Sequence, residues 1–445
     1  MNVRRALYGL LCLGAAILAG CNSGNGVGAE PINTTVRVVN LVPNAPSITV
    51  TLDTTTVLVS GLGFEQQTLY LDVSSGSHEF TVSAEGGSTA IIDTMFTLAN
   101  GQNFTFIVYG PLEAANAQFE TDSPIAILQD GTTVTEPNAG TFAIRLANVA
   151  QSVGAIDLYL TAPGADLAFT APTISDTSFQ ITTIFVPVTT GSYELRITTA
   201  NTKNVVYDTG VITFGDRTIV QAVAYGKGSG TLVGIDLLNL DTQGTGQLYQ
   251  NLLAQFKVLN ASSVAAPINI FVDGALRLTN IPFAGVSNYV KTLAGPETLS
   301  VESTANPGAS LLTFAANFSP ATDSSIVVSG PAGALQALVL TDNNMPAALG
   351  FARVRFVNAS PDLAALDVYV NFALTYTGLV SNSASPYAEV MALSTGTVFN
   401  FGFNISGTTT PALALPNITL ASGTTYTVYV VGPGSSPQGV VVSDK

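Results

Sequence analysis

The chain is poor in the residues that build most metal and catalytic centres. Among its 445 residues there are two cysteines, one histidine and no tryptophan. A zinc site needs several Cys or His ligands, and a Ser-His-Asp triad repeated along the chain needs more than one His, so both are disfavoured. Only 10% of residues are charged, with 14 Lys and Arg against 29 Asp and Glu. This acidic balance repels nucleic acid, and we predict no nucleic acid partner.

The first twenty residues predict an export signal. A basic start, Arg4-Arg5, precedes an apolar segment over residues 6–18, and Leu18-Ala19-Gly20-Cys21 resembles a bacterial lipobox. The apolar segment is shorter than the ~20 residues that cross a bilayer, which disfavours a membrane-spanning anchor and leaves an ordinary signal peptide as the other alternative. We predict a lipoprotein signal peptide over residues 1–20 and a lipid on Cys21 that holds the chain at a membrane.

Cysteine use and the residues after the lipobox refine this prediction. Cys12 lies in the predicted signal and Cys21 carries the predicted lipid, so the mature chain has no thiol for a disulfide, a metal or catalysis. Asn22 is not the Asp that resembles an inner-membrane retention signal, which favours the outer membrane in a Gram-negative source. The glycine-rich residues 21–34 predict a flexible tether. The expected location is the bacterial cell envelope, on its periplasmic or outer face.

Four copies of one module follow the tether. Each copy has a basic residue three positions before an Asn, and a position twelve residues after the basic residue lies in an alternating apolar strand. The asparagines are about 100 residues apart, the length of a complete small domain. The basic residue and its Asn are Arg37 and Asn40, Arg145 and Asn148, Lys257 and Asn260, and Arg355 and Asn358.

The pattern inside each module predicts short strands. Apolar and polar residues alternate over 48–52, 156–160, 268–272 and 366–370, which is typical of a strand with one buried face. A later apolar strand ends in a Gly, often followed by Pro, and this predicts a hairpin between the last two strands. Each module is predicted to end on an Asp after one more strand: Asp130, Asp241, Asp342 and Asp444.

Seven to nine strands per 100 residues without a disulfide predict an all-β fold of four tandem immunoglobulin-like antiparallel β-sandwiches. Apolar residues make up 47% of the chain, which is ample for four cores that fold without metal or crosslink. The short joints between modules predict a loosely articulated rod. The predicted domain bounds are 35–130, 141–241, 253–342 and 351–445.

Module four carries a family resemblance. It reads Arg355-Phe356-Val357-Asn358-Ala359-Ser360-Pro361-Asp362 and continues with Leu366-Asp367-Val368-Tyr369-Val370. This resembles the bacterial exported repeat called domain of unknown function 4397. The match is good in module four and fair in module one, and modules two and three lack the Ser-Pro-Asp. The resemblance implies a tandem sandwich at the cell surface or in the periplasm, and it implies no catalytic residues.

The recurring polar residues receive structural interpretations. If the first two strands of a module pair through a turn, Arg145 faces Asp157 and Arg355 faces Asp367 on the solvent side. We interpret these cross-strand ion pairs as register markers that contribute about 0.2 to 1 kcal/mol each. The recurring Asn is predicted to cap a strand end by bonding to turn backbone. His78 is predicted to be a solvated strand residue.

The candidate ligand contacts are three aromatic residues predicted to face outward beside these polar positions: Tyr159, Phe271 and Tyr369. An exposed aromatic beside a carboxylate is a common way to hold a sugar ring, and the preferred alternative is that these residues cover a neighbouring module or a loop. A calcium site is disfavoured because no Asp-x-Asp-x-Asp-Gly loop occurs. We predict no enzyme, cofactor or metal. A hydrolase would require a close, buried acidic pair in one module.

Four sandwiches with few polar clusters offer area and length rather than a cleft. The expected function is therefore a lipid-anchored adhesion, spacer or scaffold protein with an unknown protein or glycan partner. The alternative is a carbohydrate- or ligand-binding lipoprotein that uses the three aromatic residues.

Overall fold

The computed structural model describes residues 34–85, 87, 89–122, 127–129, 132–227, 230–240, 246–263, 267–331 and 333–444, with the backbone only for 127–129, 132 and 133. The predicted signal peptide, all of the tether except residue 34, and Cys21 lie outside these residues, as do Asp130 and Asp241. Residues 33–445 form one compact unit.

The predicted all-β fold is confirmed, since the described elements are strands and three short 3-10 helices. Module one contains β1 (Thr34–Leu41), β2 (Ile48–Leu52), β3 (Thr56–Leu62), β4 (Gln66–Gln67), β5 (Leu71–Val73), β6 (Gly76–Ala84), β7 (Ala90–Leu98), β8 (Asn103–Tyr109) and β9 (Asn116–Thr121). A hairpin of β10 (Ile127–Gln129) and β11 (Thr132–Val134) follows. Module two contains β12 (Thr141–Val149), β13 (Ile156–Thr161), β14 (Ile174–Thr177), β15 (Ile181–Thr182), β16 (Val186–Thr189), β17 (Gly191–Thr199), β18 (Val205–Phe214), β19 (Ile219–Gly226), β20 (Val233–Asn239) and β21 (Gln247–Tyr249).

Modules three and four repeat this order. Module three contains β22 (Leu253–Asn260), β23 (Ile268–Val272), β24 (Ala275–Ile281), β25 (Val290–Leu293), β26 (Gly295–Ser303), β27 (Ser310–Phe318), β28 (Asp323–Ser329) and β29 (Gln336–Asp342). Module four contains β30 (Phe351–Asn358), β31 (Ala365–Val370), β32 (Ala373–Val380), β33 (Ser383–Ala384), β34 (Ala388–Met391), β35 (Thr397–Ile405), β36 (Pro411–Leu420), β37 (Thr425–Val431) and β38 (Gln438–Ser443). The 3-10 helices are Leu112–Ala114, Gln151–Val153 and Leu167–Phe169. No helix among the described residues is long and apolar enough to cross a membrane.

Each module is a sandwich of two sheets. One sheet, here called the first-strand sheet, holds the first strand beside the next-to-last strand, as β1 lies beside β8 and β30 beside β37. The other, the second-strand sheet, has the order β3-β2-β6-β7 in module one and β32-β31-β35-β36 in module four. The pair β1–β8 and its counterparts run parallel, so the first-strand sheets are mixed, whereas second-strand sheets such as that of module four are antiparallel. The predicted hairpin after the apolar strand that ends at Gly is present in every module, between β8 and β9, β19 and β20, β28 and β29, and β37 and β38.

Alternation builds the core as the sequence predicts. Ile48, Val50 and Leu52 of β2 are buried, whereas the polar residues between them are half-buried. They pack with residues of the first-strand sheet such as Val36 and Val38. Burial of such a side chain contributes roughly 1.5 to 3 kcal/mol, which lets these modules fold on apolar packing.

The prediction that the first two strands pair is wrong. The strands β1 and β2 lie in opposite sheets, and residues 42–47 cross between them. The recurring Asn fastens this crossing, because the Asn40 amide donates to the Leu62 carbonyl at 2.8 Å and its side-chain oxygen accepts from the Val42 amide at 2.9 Å. Asn148, Asn260 and Asn358 make the same pair of contacts. The predicted role of the Asn as a strand-end cap is confirmed.

The outer face of the first-strand sheet is also buried. In module one Val39, Leu41, Ile107 and Tyr109 join one buried cluster with thirteen members in total, the rest from module two. Leu259, Ala261 and Val327 of module three join a second cluster with residues of module four such as Val357 and Tyr429. Modules one and two therefore form one pair, and modules three and four another. The expectation of loose articulation is wrong within each pair, because the joint is a shared core.

Candidate functional site

Each first strand places its basic residue at the centre of a pair interface, in an arrangement called here the cation centre. In module four the guanidinium of Arg355 lies 4.7 Å from the ring centre of Tyr387. It donates to Thr427 Oγ1 at 3.1 Å and to Asp342 Oδ1, which belongs to module three, at 2.6 Å. The Thr lies on the parallel neighbour strand, and the Asp ends the last strand of the partner module.

Modules two and three reproduce this arrangement. Lys257 of module three lies 4.8 Å from the ring centre of Tyr289 and donates to Asp444 of module four. The third and fourth modules thus exchange cation and carboxylate reciprocally. In module two the guanidinium of Arg145 lies 4.7 Å from the ring centre of Phe185 and donates to Asp122 Oδ1 of module one at 2.9 Å.

Module one departs from the pattern because module two lacks the carboxylate. In module three, Ser325 pairs with Leu340, and Asp342 lies two residues further along that strand. In module two, the equivalent Gln221 pairs with Leu238. The residue two positions further, Leu240, therefore stands where module three has Asp342. Arg37 therefore donates to the Asn239 carbonyl at 3.1 Å and to Thr105 Oγ1, and lies 3.8 Å from Asp122 of its own module.

Burial and the partner charges act against each other in the cation centres. Desolvation lowers the pKa of Arg145, although the Asp122 carboxylate opposes the shift. Burial also raises the pKa of Asp444, because water no longer stabilises its charged form. Arg355 is 3% exposed, and its pKa is raised by Asp342 despite desolvation. The charges are buried and paired, so we interpret the cation centres as the parts that hold modules together.

The Asp that lies within the second strand of a module, twelve residues after the basic residue, caps a bulge. It does not pair with the basic residue, so the predicted cross-strand ion pairs are wrong. Asp367 Oδ1 accepts from the Gly378 amide of the edge strand β32 at 2.8 Å, and its Oδ2 accepts from the Gly407 amide at 3.0 Å. Gly378 has φ of 67°, which marks the bulge. Asp157 accepts likewise from the Asp176 amide at 2.7 Å. These hydrogen bonds lower the pKa of Asp367.

The three candidate aromatic residues lie on second-strand sheets with different exposure. Tyr159 is only 1% exposed, and Lys203 covers it with its ammonium 4.7 Å from the ring centre and 2.9 Å from the hydroxyl. Tyr159 is thus covered by the turn that carries Lys203, which agrees with the alternative that this aromatic packs against a loop. Phe271 and Tyr369 are half-buried, and Tyr369 lies directly across from Gly402. Ligand contact by these residues stays a prediction.

His78 is buried against Asp53 and Ser74, so its predicted solvation is wrong. Its Nδ1 lies 2.7 Å from Asp53 Oδ2, and its Nε2 lies 2.8 Å from the Ser74 carbonyl and 3.3 Å from the Ser74 hydroxyl. A triad needs an unprotonated Nε2 that accepts the serine proton. Here the carbonyl takes a donated hydrogen from that nitrogen, so the arrangement clamps the β2–β3 hairpin. The hydrogen bond from His78 lowers the pKa of Asp53.

Module one also contains two acidic residues that approach one cation. Glu120 and Asp122 lie 4.0 and 2.9 Å from Arg145 Nη2, and both are buried. Asp122 accepts further hydrogen bonds from the Tyr70 and Thr105 hydroxyls. These contacts occupy both carboxylates at the interface between modules one and two. Within the described residues, no group of three His, Cys, Asp or Glu side chains is placed to hold a metal.

Sequence reasoning identified the recurring basic residues but missed their partners. The partners lie in another module, which a repeat pattern within one module does not reveal. A signal was present, because β1 carries Val36 and Val38 on one face and Val39 and Leu41 around the opposite one. Apolar residues on both faces indicate a strand buried on both sides.

Comparisons with known proteins place the chain in a family. A family model described as domain of unknown function (DUF4397) matches residues 34–159, 254–369 and 352–445. No curated protein matches the chain. The Bacillus anthracis TIE protein is 11% identical with a TM-score of 0.16, over 91% of this chain and 65% of that one, so the chain spans about two-thirds of its length.

Two further solved structures are similar at the same low level. A family 26 carbohydrate-binding module from Eubacterium rectale, solved with maltoheptaose, is 8% identical with a TM-score of 0.15, over 44% of this chain and 92% of that one. A streptococcal ancillary pilin is 10% identical with a TM-score of 0.15, over 64% of this chain and 95% of the pilin. The family match covers more than half of the sequence, and the chain belongs to the DUF4397 family.

Proposed function

We propose that this protein is a lipid-anchored, non-enzymatic scaffold of the bacterial cell envelope that presents its modules for adhesion or spacing. The supporting observation is the burial of the cation centres between modules. Their charged groups are consumed in holding Asp342 to Arg355 and Asp122 to Arg145. What the protein offers to a partner is then sandwich surface held in place, not a catalytic cleft.

The membrane anchor is tested by replacing the lipidated residue. Cells that express wild type or Cys21→Ser are labelled with an alkyne fatty acid, and their membranes are separated by density. We expect label and outer-membrane recovery for wild type and neither for the variant. Protease shaving of intact cells then distinguishes the outer face from the periplasm. Equal labelling of both proteins contradicts the anchor.

The scaffold role is tested by the partner it retains. Chemical crosslinking of intact cells followed by mass spectrometry compares wild type with Asp342→Ala, which disrupts the third and fourth modules. We expect crosslinks to a surface protein or glycan that the variant loses, while its membrane recovery stays unchanged. Substrate turnover by the purified protein would contradict a non-enzymatic role.

Carbohydrate binding is a second candidate, supported by Tyr369. This ring is half-buried on the second-strand sheet of module four and faces Gly402, and a glycine within a strand permits close approach of a ligand. We expect Tyr369→Ala to abolish glycan-array binding and Phe372→Ala, a change at an aromatic that is 86% exposed on a hairpin tip, to leave it intact. Binding equal in both variants contradicts this site.

A further inference from the structure

A cavity of about 450 Å³ lies where modules one, two and four meet. Module one contributes the segment after β1 and the turn between β8 and β9. Module two contributes the corresponding segments after β12 and β19. Module four and the chain before it contribute Pro346 and the turn between β36 and β37. A volume of this size accommodates a small organic molecule of one or two rings.

The floor of the cavity is apolar. Leu41, Val149 and Tyr225 line it, and each is at most 3% exposed. Pro43 is also buried at the floor, and Pro111 adds a further apolar wall. The Tyr225 hydroxyl donates to Glu65 at 2.6 Å and is therefore already occupied. A ligand that fills this floor must present hydrocarbon to it.

The rim is polar and carries one formal charge. Glu113 lines the cavity, and its carboxylate oxygens lie 3.2 and 3.4 Å from the Asn44 amide nitrogen. Asn44 is itself fixed, since its oxygen accepts from the Leu112 amide at 2.7 Å and its nitrogen donates to the Ala347 carbonyl at 3.2 Å. The carboxylate is thus held beside the opening.

The polar remainder of the rim is uncharged. Gln151, Ser152, Ser394 and Ser422 line it, and none of the described lining residues is Lys or Arg. The whole chain also has a formal charge of −15, which attracts cations and repels anions. Charge therefore selects a positively charged ligand over an anion of the same size.

From this apolar floor and acidic rim we infer a binding site for a small organic cation, an amine on an aromatic or alicyclic body. The body fills the floor formed by Leu41, Val149 and Tyr225, and the protonated amine lies at the rim beside Glu113. This site is separate from the cation centres and from Tyr369. It goes beyond the scaffold role and does not depend on it.

Titration calorimetry on the purified mature chain tests the inference with three indoles that share one body. Tryptamine carries an ammonium, tryptophol is neutral and indole-3-acetate is an anion. We expect tryptamine to bind best, with roughly a twofold to fivefold advantage over tryptophol that corresponds to one exposed ion pair. The variant Glu113→Gln should remove this advantage and keep the binding of tryptophol.

Two blocking variants locate the site. Ser152→Trp fills the rim from module two and Ser394→Trp fills it from module four, and both should abolish binding. The control Ser175→Trp, at an exposed serine of the edge strand β14, should bind as wild type does. Any one of three results would overturn the inference. Tryptamine does not bind at millimolar concentration, both blocked variants still bind it, or indole-3-acetate binds as strongly as tryptamine. None of these results bears on lipid labelling or crosslinking.

Discussion

The two module pairs solve one packing problem differently. Modules three and four exchange two cation–carboxylate contacts, Lys257 with Asp444 and Arg355 with Asp342. Modules one and two have a single such exchange at their cation centres, Arg145 with Asp122, and a partly exposed pair of Lys227 with Glu65 at 2.8 Å. Leu240 stands where the second carboxylate would be.

The first pair has aromatic ring contacts across its interface. Tyr109 of module one meets Phe179 of module two edge-on at 6.1 Å, and Phe64 meets Tyr225 at the same distance. The position of Leu41 is taken by Ala261 in module three. Leu240 thus stands in for one buried carboxylate, and replacement of a buried ion pair by well-packed apolar side chains is often neutral or stabilising.

The largest expected effect comes from removing a central carboxylate. Asp342 accepts from Arg355, Ser325 and Tyr289, so Asp342→Ala leaves a buried guanidinium and two hydroxyls without their acceptor. We expect a loss of about 5 kcal/mol in the free energy of unfolding, measured by urea denaturation. The exposed Asp93→Ala is the control, with a change within about 0.5 kcal/mol. Equal losses would show that the cation centre does not hold the pair.

The first pair should be sensitive to pH through Asp236, a buried carboxyl of β20. Burial raises the pKa of this carboxyl to about 7 from 3.8. An acid whose folded pKa is raised stabilises the fold at low pH, and this contribution is lost as the pH rises from about 4 to about 7. We expect the free energy of unfolding of Asp236→Asn, relative to that of wild type, to rise by about 4 kcal/mol between pH 4 and pH 8. A constant difference across urea titrations at both pH values would contradict this assignment.

Restoring the missing carboxylate sharpens the comparison. Leu240→Asp places an acid where the pattern of the other modules puts one, near Arg37, whereas Leu240→Asn supplies a neutral side chain of the same shape. Both lose apolar burial, but we expect the Asp variant to be more stable by roughly 2 kcal/mol, the worth of a charged hydrogen bond. Thermal unfolding of both proteins at pH 8 measures the difference. Equal stability would mean that the position is not equivalent to Asp342.

The smallest effect concerns the aromatic contacts of the first pair. Phe179→Leu keeps much of the apolar area but removes the edge-on contact with Tyr109, at a cost of about 1 kcal/mol. Phe169→Leu is the matched control in the same module, because Phe169 is 95% exposed. The urea midpoints of the two variants are compared. If the midpoint of Phe169→Leu decreases as much as that of Phe179→Leu, the ring contact with Tyr109 does not stabilise the pair.

The fold was predicted from the sequence more accurately than the contacts of the polar residues. The alternation in β2 and the Asn40 cap follow from local rules, and the structure agrees with both. Which sheet a strand joins depends on a crossing of six residues that alternation does not specify. The partner of Arg355 lies in module three, so its identification needed the position of one module against another. The residue that covers Tyr159 could not be named for a similar reason, because Lys203 reaches it from a neighbouring turn.

The sharing of a core between two modules sets a rule for how such chains grow. A module alone would expose the outer face of its first-strand sheet, with an unpartnered charge at its middle. Gain or loss of modules during evolution is therefore expected in steps of two. A relative with three or five copies should either recruit its odd member into a dimer or carry polar replacements across the Val39 and Leu41 positions.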